Sequence, residues 1–327
     1  TKDLLMKTAI PGITGFTSTY ANVGQTSNKG IEFALQGVLV KTRDWNVTAG
    51  FNINFNRGKV DKLADNVTGL YGTEWATSST FPKSDYVLKE GRPVGLVRGL
   101  TADGFYTTDD FTYENGVYTL KEGVADVSSA VFPNYHLHNG MNERPAGQLA
   151  YPGMAKFKDL NDDGIINDDD VDVIGDMTPV HTGGFNINAT YKNFDLGLYF
   201  NWSYGNEIYN VNKLAALYGY KEGAVYENKL SIVKDCYKIY DVVNGELVAL
   251  TTPEQLNAAN ANAKLPLAYS ENGYVSTLGI EDGSYLRLNT LTLGYTLPKS
   301  MLQKAGISNL RVYGSIYNVF TITGYSG

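Results

Sequence analysis

Apolar and polar residues alternate without a break between residues 47 and 56. Val47, Ala49, Phe51, Ile53 and Phe55 share one face, and Thr48, Gly50, Asn52, Asn54 and Asn56 the other. Such alternation predicts a strand, because successive side chains of an extended chain point to opposite faces. The pattern recurs as a hairpin. Phe185, Ile187, Ala189 and Tyr191 alternate with Asn186, Asn188 and Thr190, and Phe194, Leu196, Leu198, Phe200 and Trp202 alternate with Asp195, Gly197, Tyr199, Asn201 and Ser203. Lys192 and Asn193 fall between the two runs as the turn. Residues 31–40, 285–297 and 310–320 alternate less cleanly, and the last run does not reveal its outward face.

Alternation fits two environments. A soluble sandwich turns its apolar face to a core, whereas a membrane barrel turns it to lipid and the polar face to the lumen. Three features select the barrel. The runs approach ten residues, the length a tilted strand needs to cross a bilayer, where soluble strands average about 5–6. Short turns alternate with very long connections, residues 57–182 and 204–283. The apolar faces end in aromatics (Phe55, Tyr191, Phe194, Trp202), as interfacial girdles do. The fold expected is all-β: part of a transmembrane antiparallel barrel, roughly six to seven strands, with long extracellular loops.

Helical signal is confined to residues 253–263, where a capped short helix is expected. Asn46, Asn66, Asn188 and Asn201 open N-x-Ser/Thr triplets. Three of these lie in predicted strands, so they read as part of an Asn/Thr-rich lumen face rather than as glycosylation sites. No run approaches the 18 or more apolar residues of a spanning helix. The chain carries 27 basic and 34 acidic residues, net −7, with no basic stripe interleaved with aromatics, which argues against nucleic acid as a partner. Cys236 is the single cysteine, excluding a disulfide framework and reading as a small loop residue. Tyrosine is enriched, 24 of 327 residues, but suits strands, girdles and sugar-stacking surfaces alike.

The sharpest chemical motif lies at residues 159–170, DLNDDGIINDDD. Its spacing is that of an EF-hand-type calcium loop. Asp159, Asn161 and Asp163 stand at positions 1, 3 and 5, and Gly164 at the sharp turn of position 6. Ile165 would offer its carbonyl at position 7, Asn167 a ligand at position 9, and Asp170 the closing carboxylate at position 12. Ile166 supplies the apolar anchor at position 8. Ca²⁺ is expected over Mg²⁺, which keeps its waters and demands octahedral geometry. Two departures stand out: the closing residue is Asp rather than Glu, and the flanks do not read as a helix pair. The expectation is a structural staple on a surface excursion, not a sensor.

No catalytic constellation is present. His136, His138 and His181 are the only histidines, none at zinc spacing, and all read as exposed loop residues. The protein is expected not to be an enzyme.

Several segments resemble the SusC/RagA family of TonB-dependent outer-membrane transporters. They are residues 1–5 (TKDLL), 11–16 (PGITGF), 22–24 (NVG), 28–32 (NKGIE), 90–95 (EGRPVG), 103–105 (DGF), 157–164 (FKDLNDDG), 174–179 (IGDMTP), 184–186 (GFN), 191–196 (YKNFDL), 285–295 (YLRLNTLTLGY), 310–314 (LRVYG) and 318–323 (NVFTIT). The resemblance runs in order along nearly the whole chain. It implies the C-terminal part of a large barrel, with the plug and the TonB-contacting segment upstream of Thr1 and a final strand beyond Gly327. It further implies a SusD-like surface lipoprotein as lid, import of an oligosaccharide or peptide, and a place in the outer membrane of Bacteroidetes. Short turns would then be periplasmic and long loops extracellular. Lumen-facing Asn52, Asn54, Asn186, Asn188 and Tyr199 are expected to satisfy one another rather than to contact substrate directly. The competing reading is a secreted, calcium-stabilised β-rich module that binds carbohydrate or acts as an adhesin. A surface glycosidase would need a carboxylate pair to which nothing in the sequence points.

Overall fold

The computed structural model describes residues 5–9, 18–22, 24–64, 68–73, 80–132, 144–217, 230–268, 273–303 and 306–326. Six long strands form one antiparallel sheet, numbered here in chain order: β1 Gly24–Lys41, β2 Trp45–Leu63, β3 His181–Tyr191, β4 Phe194–Tyr204, β5 Tyr285–Thr296 and β6 Arg311–Thr323. Each pairs with its sequence neighbours, so the sheet is a simple meander. Leu5–Ala9 and Ser18–Asn22 form a separate antiparallel pair.

Cross-strand register puts the apolar alternation on one continuous face. Ile53 and Phe51 of β2 lie opposite Gly183 and Phe185 of β3, and Phe185, Ile187 and Ala189 lie opposite Phe200, Leu198 and Leu196 of β4. Leu291 and Leu293 of β5 extend the face, and Ile316 and Gly314 of β6 complete it. Many of these side chains are exposed on the sheet, Phe33 by 54% and Leu35 by 62%. That pattern suits a surface whose solvent is hydrocarbon.

Aromatics bracket the band. At the short-turn end Trp45 packs on Tyr191 at 4.5 Å and Phe194 on Tyr295 at 4.6 Å. At the other end His181 lies 5.4 Å from Phe55 and stacks on Tyr204 at 5.0 Å. His181 therefore opens a strand inside the aromatic girdle and is not an exposed loop residue. Its Nδ1 accepts the Trp202 indole N–H at 3.1 Å. His136, His138 and Asn66 lie outside the described residues.

The weak alternation in two runs has a structural cause. Register slips between Val38 and Val40 in β1 against β2, and between Leu288 and Thr290 in β5 against β4. Each bulge inserts a residue and inverts parity. The outward set in β1 passes from Leu35 and Gly37 to Val40, and in β5 from Leu286 and Leu288 to Leu291 and Leu293. β2 also outruns its apolar pattern, with 19 residues against the ten that alternate. Pairing with β1 continues from Phe55 to Leu63 while outward side chains change from apolar to basic. The long connections consequently run over residues 64–180 and 205–284, slightly displaced from the expected boundaries.

These connections fold together as a cap with its own core. From the first come Leu100, Tyr106, Tyr118, Tyr151, Phe157 and Ile166, and from the second Leu214, Cys236, Tyr237, Leu256 and Tyr274, all in one buried cluster. Backbone pairing ties them as well. Gly273–Tyr274 runs parallel to Thr80–Phe81, and Leu100 N–H donates to Val275 O at 2.9 Å. Tyr118 Oη donates to Thr251 O at 3.1 Å. The expected helix spans Pro253–Ala259, started by a capping box in which Thr252 and Gln255 bond reciprocally. Cys236 is buried in this core, and burial followed by the nearby Asp235 pushes its thiol pKa up to about 11.

Candidate functional site

Among the described residues, polar side chains gather on the inner face of the sheet and in the loop at residues 159–170. On the inner face, Asn186 Oδ1 accepts from Asn188 Nδ2 at 3.1 Å, and Asn188 Oδ1 accepts from Tyr199 Oη at 3.1 Å. Thr292 and Ser315 bond across β5 and β6 at 2.9 Å. Asn201 Nδ2 donates to Tyr285 Oη at 3.2 Å. Most of these polar atoms satisfy one another, whereas Asn201 Oδ1 is buried without a hydrogen-bond partner. A salt bridge joins Arg311 to Asp195, with Arg311 Nε donating to Oδ1 at 2.9 Å and Nη2 to Oδ2. No sequence signal pairs these two residues, since they are brought together across an intervening strand.

The loop at residues 159–170 folds onto its own amides. Asp159 Oδ2 accepts from Gly164 N–H at 2.7 Å, Asn161 Oδ1 from Asp163 N–H at 3.1 Å, and Asp163 Oδ1 from Ile165 N–H at 2.8 Å. Asn167 Oδ1 accepts from Asp169 N–H at 2.8 Å. Asp170 is fully buried and spans both loop ends, its Oδ1 accepting from Leu160 N–H at 2.7 Å and its Oδ2 from Asn167 N–H at 2.8 Å. Gly164 has φ of 84°, a conformation that favours glycine. Ile166 is fully buried in the cap core and pairs with Val127 in a short parallel bridge of strands.

All six candidate ligands are thus gathered in one turn. Among the described residues, however, no three His, Cys, Asp or Glu side chains are grouped closely enough to hold a metal. The donor set is nonetheless entirely oxygen, and a carboxylate has about four lone-pair sites, so an amide bond does not exhaust it. Asp159 and Asp170 both already hold loop amides on both oxygens, and Asp170 at position 12 is the weakest fit because it is also fully buried and shorter than the usual Glu.

Near this loop, Asp110 pairs with Lys156 at 2.7 Å, both largely buried. Burial works to raise the Asp110 pKa, and hydrogen bonds from Lys156 and Thr107 outweigh it, leaving the carboxyl below its usual range. Among the described residues, no helix is long and apolar enough to cross a membrane, which leaves crossing by strands open.

A meander of long strands with an apolar outer face, aromatic girdles and a polar inner face defines a transmembrane β-barrel. No family model matches the chain. It is 30% identical over its whole length to TonB-dependent receptor P3 of Formosa agariphila, covering 27% of that protein. It is 25% identical over its whole length to TonB-dependent receptor SusC of Bacteroides thetaiotaomicron, covering 26%. The structure of the RagAB peptide transporter aligns over the whole chain and 29% of its own, with a TM-score of 0.65 and 23% identity, a likeness of fold. The chain spans about a quarter of the length of the curated relatives it matches. The chain thus matches part of the barrel of TonB-dependent receptors, and its place is the outer membrane. Within that class it is SusC/RagA-like.

Proposed function

We propose that the complete protein imports a nutrient, an oligosaccharide or a peptide, as the SusC-like barrel of a TonB-dependent complex with a SusD-like surface lipoprotein. The observation that carries this reading is the match of the whole chain to TonB-dependent receptors, with a sheet whose outer face carries a continuous apolar band. Similarity to SusC and a fold shared with the RagAB peptide transporter support the import of a polymer fragment. The cap lies on the extracellular side in this reading, contacts the lid and shapes the substrate chamber. TonB engages a segment outside this chain.

Ca²⁺ in the loop at residues 159–170 would staple the cap and reduce the conformational freedom of its surface. Support comes from the ligand spacing, the all-oxygen donors and the buried anchor Ile166. Asp159, Asn161, Asp163, the Ile165 carbonyl, Asn167 and Asp170 would hold the ion.

Membrane fractionation followed by mild-detergent purification tests the import complex. Recovery from the outer membrane with a co-purifying lipoprotein is expected, and uptake of labelled sugar or peptide ligands then names the cargo. A soluble protein recovered alone from the medium overturns the reading. For the metal, elemental analysis of the purified complex is expected to find calcium that EGTA removes and that Asp159→Ala with Asp163→Ala abolishes.

A further inference from the structure

We infer that the outer face of β1 and β2, just beyond the aromatic girdle, binds the phosphate of a membrane-lipid headgroup. The register carries the argument. Ile31 lies opposite Phe55, Lys29 opposite Arg57, and Ser27 opposite Lys59, with no bulge in between. Lys29, Arg57 and Lys59 therefore stand on the same face as Ile31, Phe33, Ile53 and Phe55, the face that meets lipid. From Trp45 to Phe55 the band spans about 25 Å, at about 3.3 Å per residue and a tilt near 40°. Arg57 and Lys59 lie roughly 5 and 10 Å further along the same line, the depth of headgroups.

The three cations line a cavity of about 390 Å³ with Ser27, Thr178 and Asp176. Arg57 Nη1 donates to Pro179 O at 2.8 Å and Asn56 O at 3.1 Å, which fixes the guanidinium without neutralising it. Among the described residues Lys29 makes no ion pair, and Lys59 meets Asp61 at 3.4 Å. Asp176 is the acidic member of the lining, and its Oδ1 is engaged by the Thr178 amide at 2.9 Å. Ser27 Oγ also donates to Asp61 at 2.8 Å, so three cations face two carboxylates, Asp61 and Asp176, a local positive excess in a chain of net charge −7. A phosphate matches it in sign, and the fork of Arg57 and the amine of Lys29 are suited to its oxygens. Exposed Val94 and Val180 beside the cavity offer apolar contact to the rest of the lipid. The site rests on the outer-membrane placement and is independent of the import reading.

The test uses the full-length receptor complex, extracted in mild detergent, with lipid retention read by native mass spectrometry and lipid identity by fragmentation. Wild-type protein is expected to retain a phosphorylated lipid. K29Q, R57Q and K59Q each weaken retention about fivefold, and together on the order of a hundredfold. Lys41→Gln with Arg43→Gln, basic residues at the opposite end of the hairpin, leaves it unchanged. If the triple variant does not assemble, the three single variants carry the test. Retention unaffected by these substitutions overturns the site. Equal loss in the Lys41/Arg43 control, or displacement by inorganic phosphate as effectively as by lipid, also overturns it, the latter showing a general anion site.

Discussion

Trp202 of β4 stacks on Phe51 of β2 across the intervening strand, ring centroids 5.6 Å apart and planes 29° from parallel. Gly183 of β3 lies between them and makes the contact possible. A methyl group there would overlap the Trp202 ring and the Asn52 carbonyl. Gly183→Val is expected to displace the indole from Phe51 and His181 and to destabilise the barrel by about 1–3 kcal/mol, the usual cost of overpacking. Urea unfolding of the receptor in lipid vesicles, followed by tryptophan fluorescence, measures it. An unchanged midpoint and emission would refute the stacking role.

The inner face repeats the device with charge. Arg311 of β6 reaches Asp195 of β4 over Gly294 of β5, whose added Cβ would collide with both side chains. The pair is partly exposed, so Asp195→Asn is expected to cost no more than about 1 kcal/mol. Gly294→Val, which both breaks the pair and strains the lumen face, should cost more. A double-mutant cycle between Asp195→Asn and Arg311→Gln reads the coupling directly.

Ile166 links the candidate metal loop to the cap core. Ile166→Ala should destabilise the cap by about 2–5 kcal/mol, the range for deleting a fully buried aliphatic chain. Hydrogen exchange is expected to rise together around Val127 and around residues 159–170, because these strands pair. Exchange confined to one of the two segments would show that they are uncoupled.

Asp110 makes cap stability depend on pH. Its folded pKa is depressed, so its contribution is complete above the unfolded value near 3.9 and is lost as pH falls through the folded value. The melting temperature of the cap should therefore drop below about pH 4. Asp110→Asn is expected to melt lower at neutral pH and to lose part of that acid dependence.

Cys236 should resist maleimide at neutral pH in the folded receptor. It is buried, and its thiol pKa is pushed up to about 11, so both access and thiolate are scarce. Labelling is expected to become complete on unfolding in urea. Rapid labelling of the native protein would place this segment outside the core.

Legibility in the sequence followed the locality of each signal. Strands β2, β3 and β4 and the turn at Lys192 and Asn193 could be read because side-chain alternation is a property of neighbouring residues. The helix Pro253–Ala259 was legible through its capping residues for the same reason. In β1 and β5 the alternation was blurred by bulges at Val38/Val40 and Leu288/Thr290, whose parity shift shows only against a partner strand.

The sequence by itself determined the class of fold, the band of lipid-facing residues and the spacing of six oxygen donors at residues 159–170. Tertiary structure alone decided that two long connections share one core, that Asp195 meets Arg311, and that Lys29, Arg57 and Lys59 converge beyond the girdle. Those relationships join distant segments, Lys29 lying 28 positions from Arg57, where pairing and packing in space, not neighbouring chemistry, set which side chains meet.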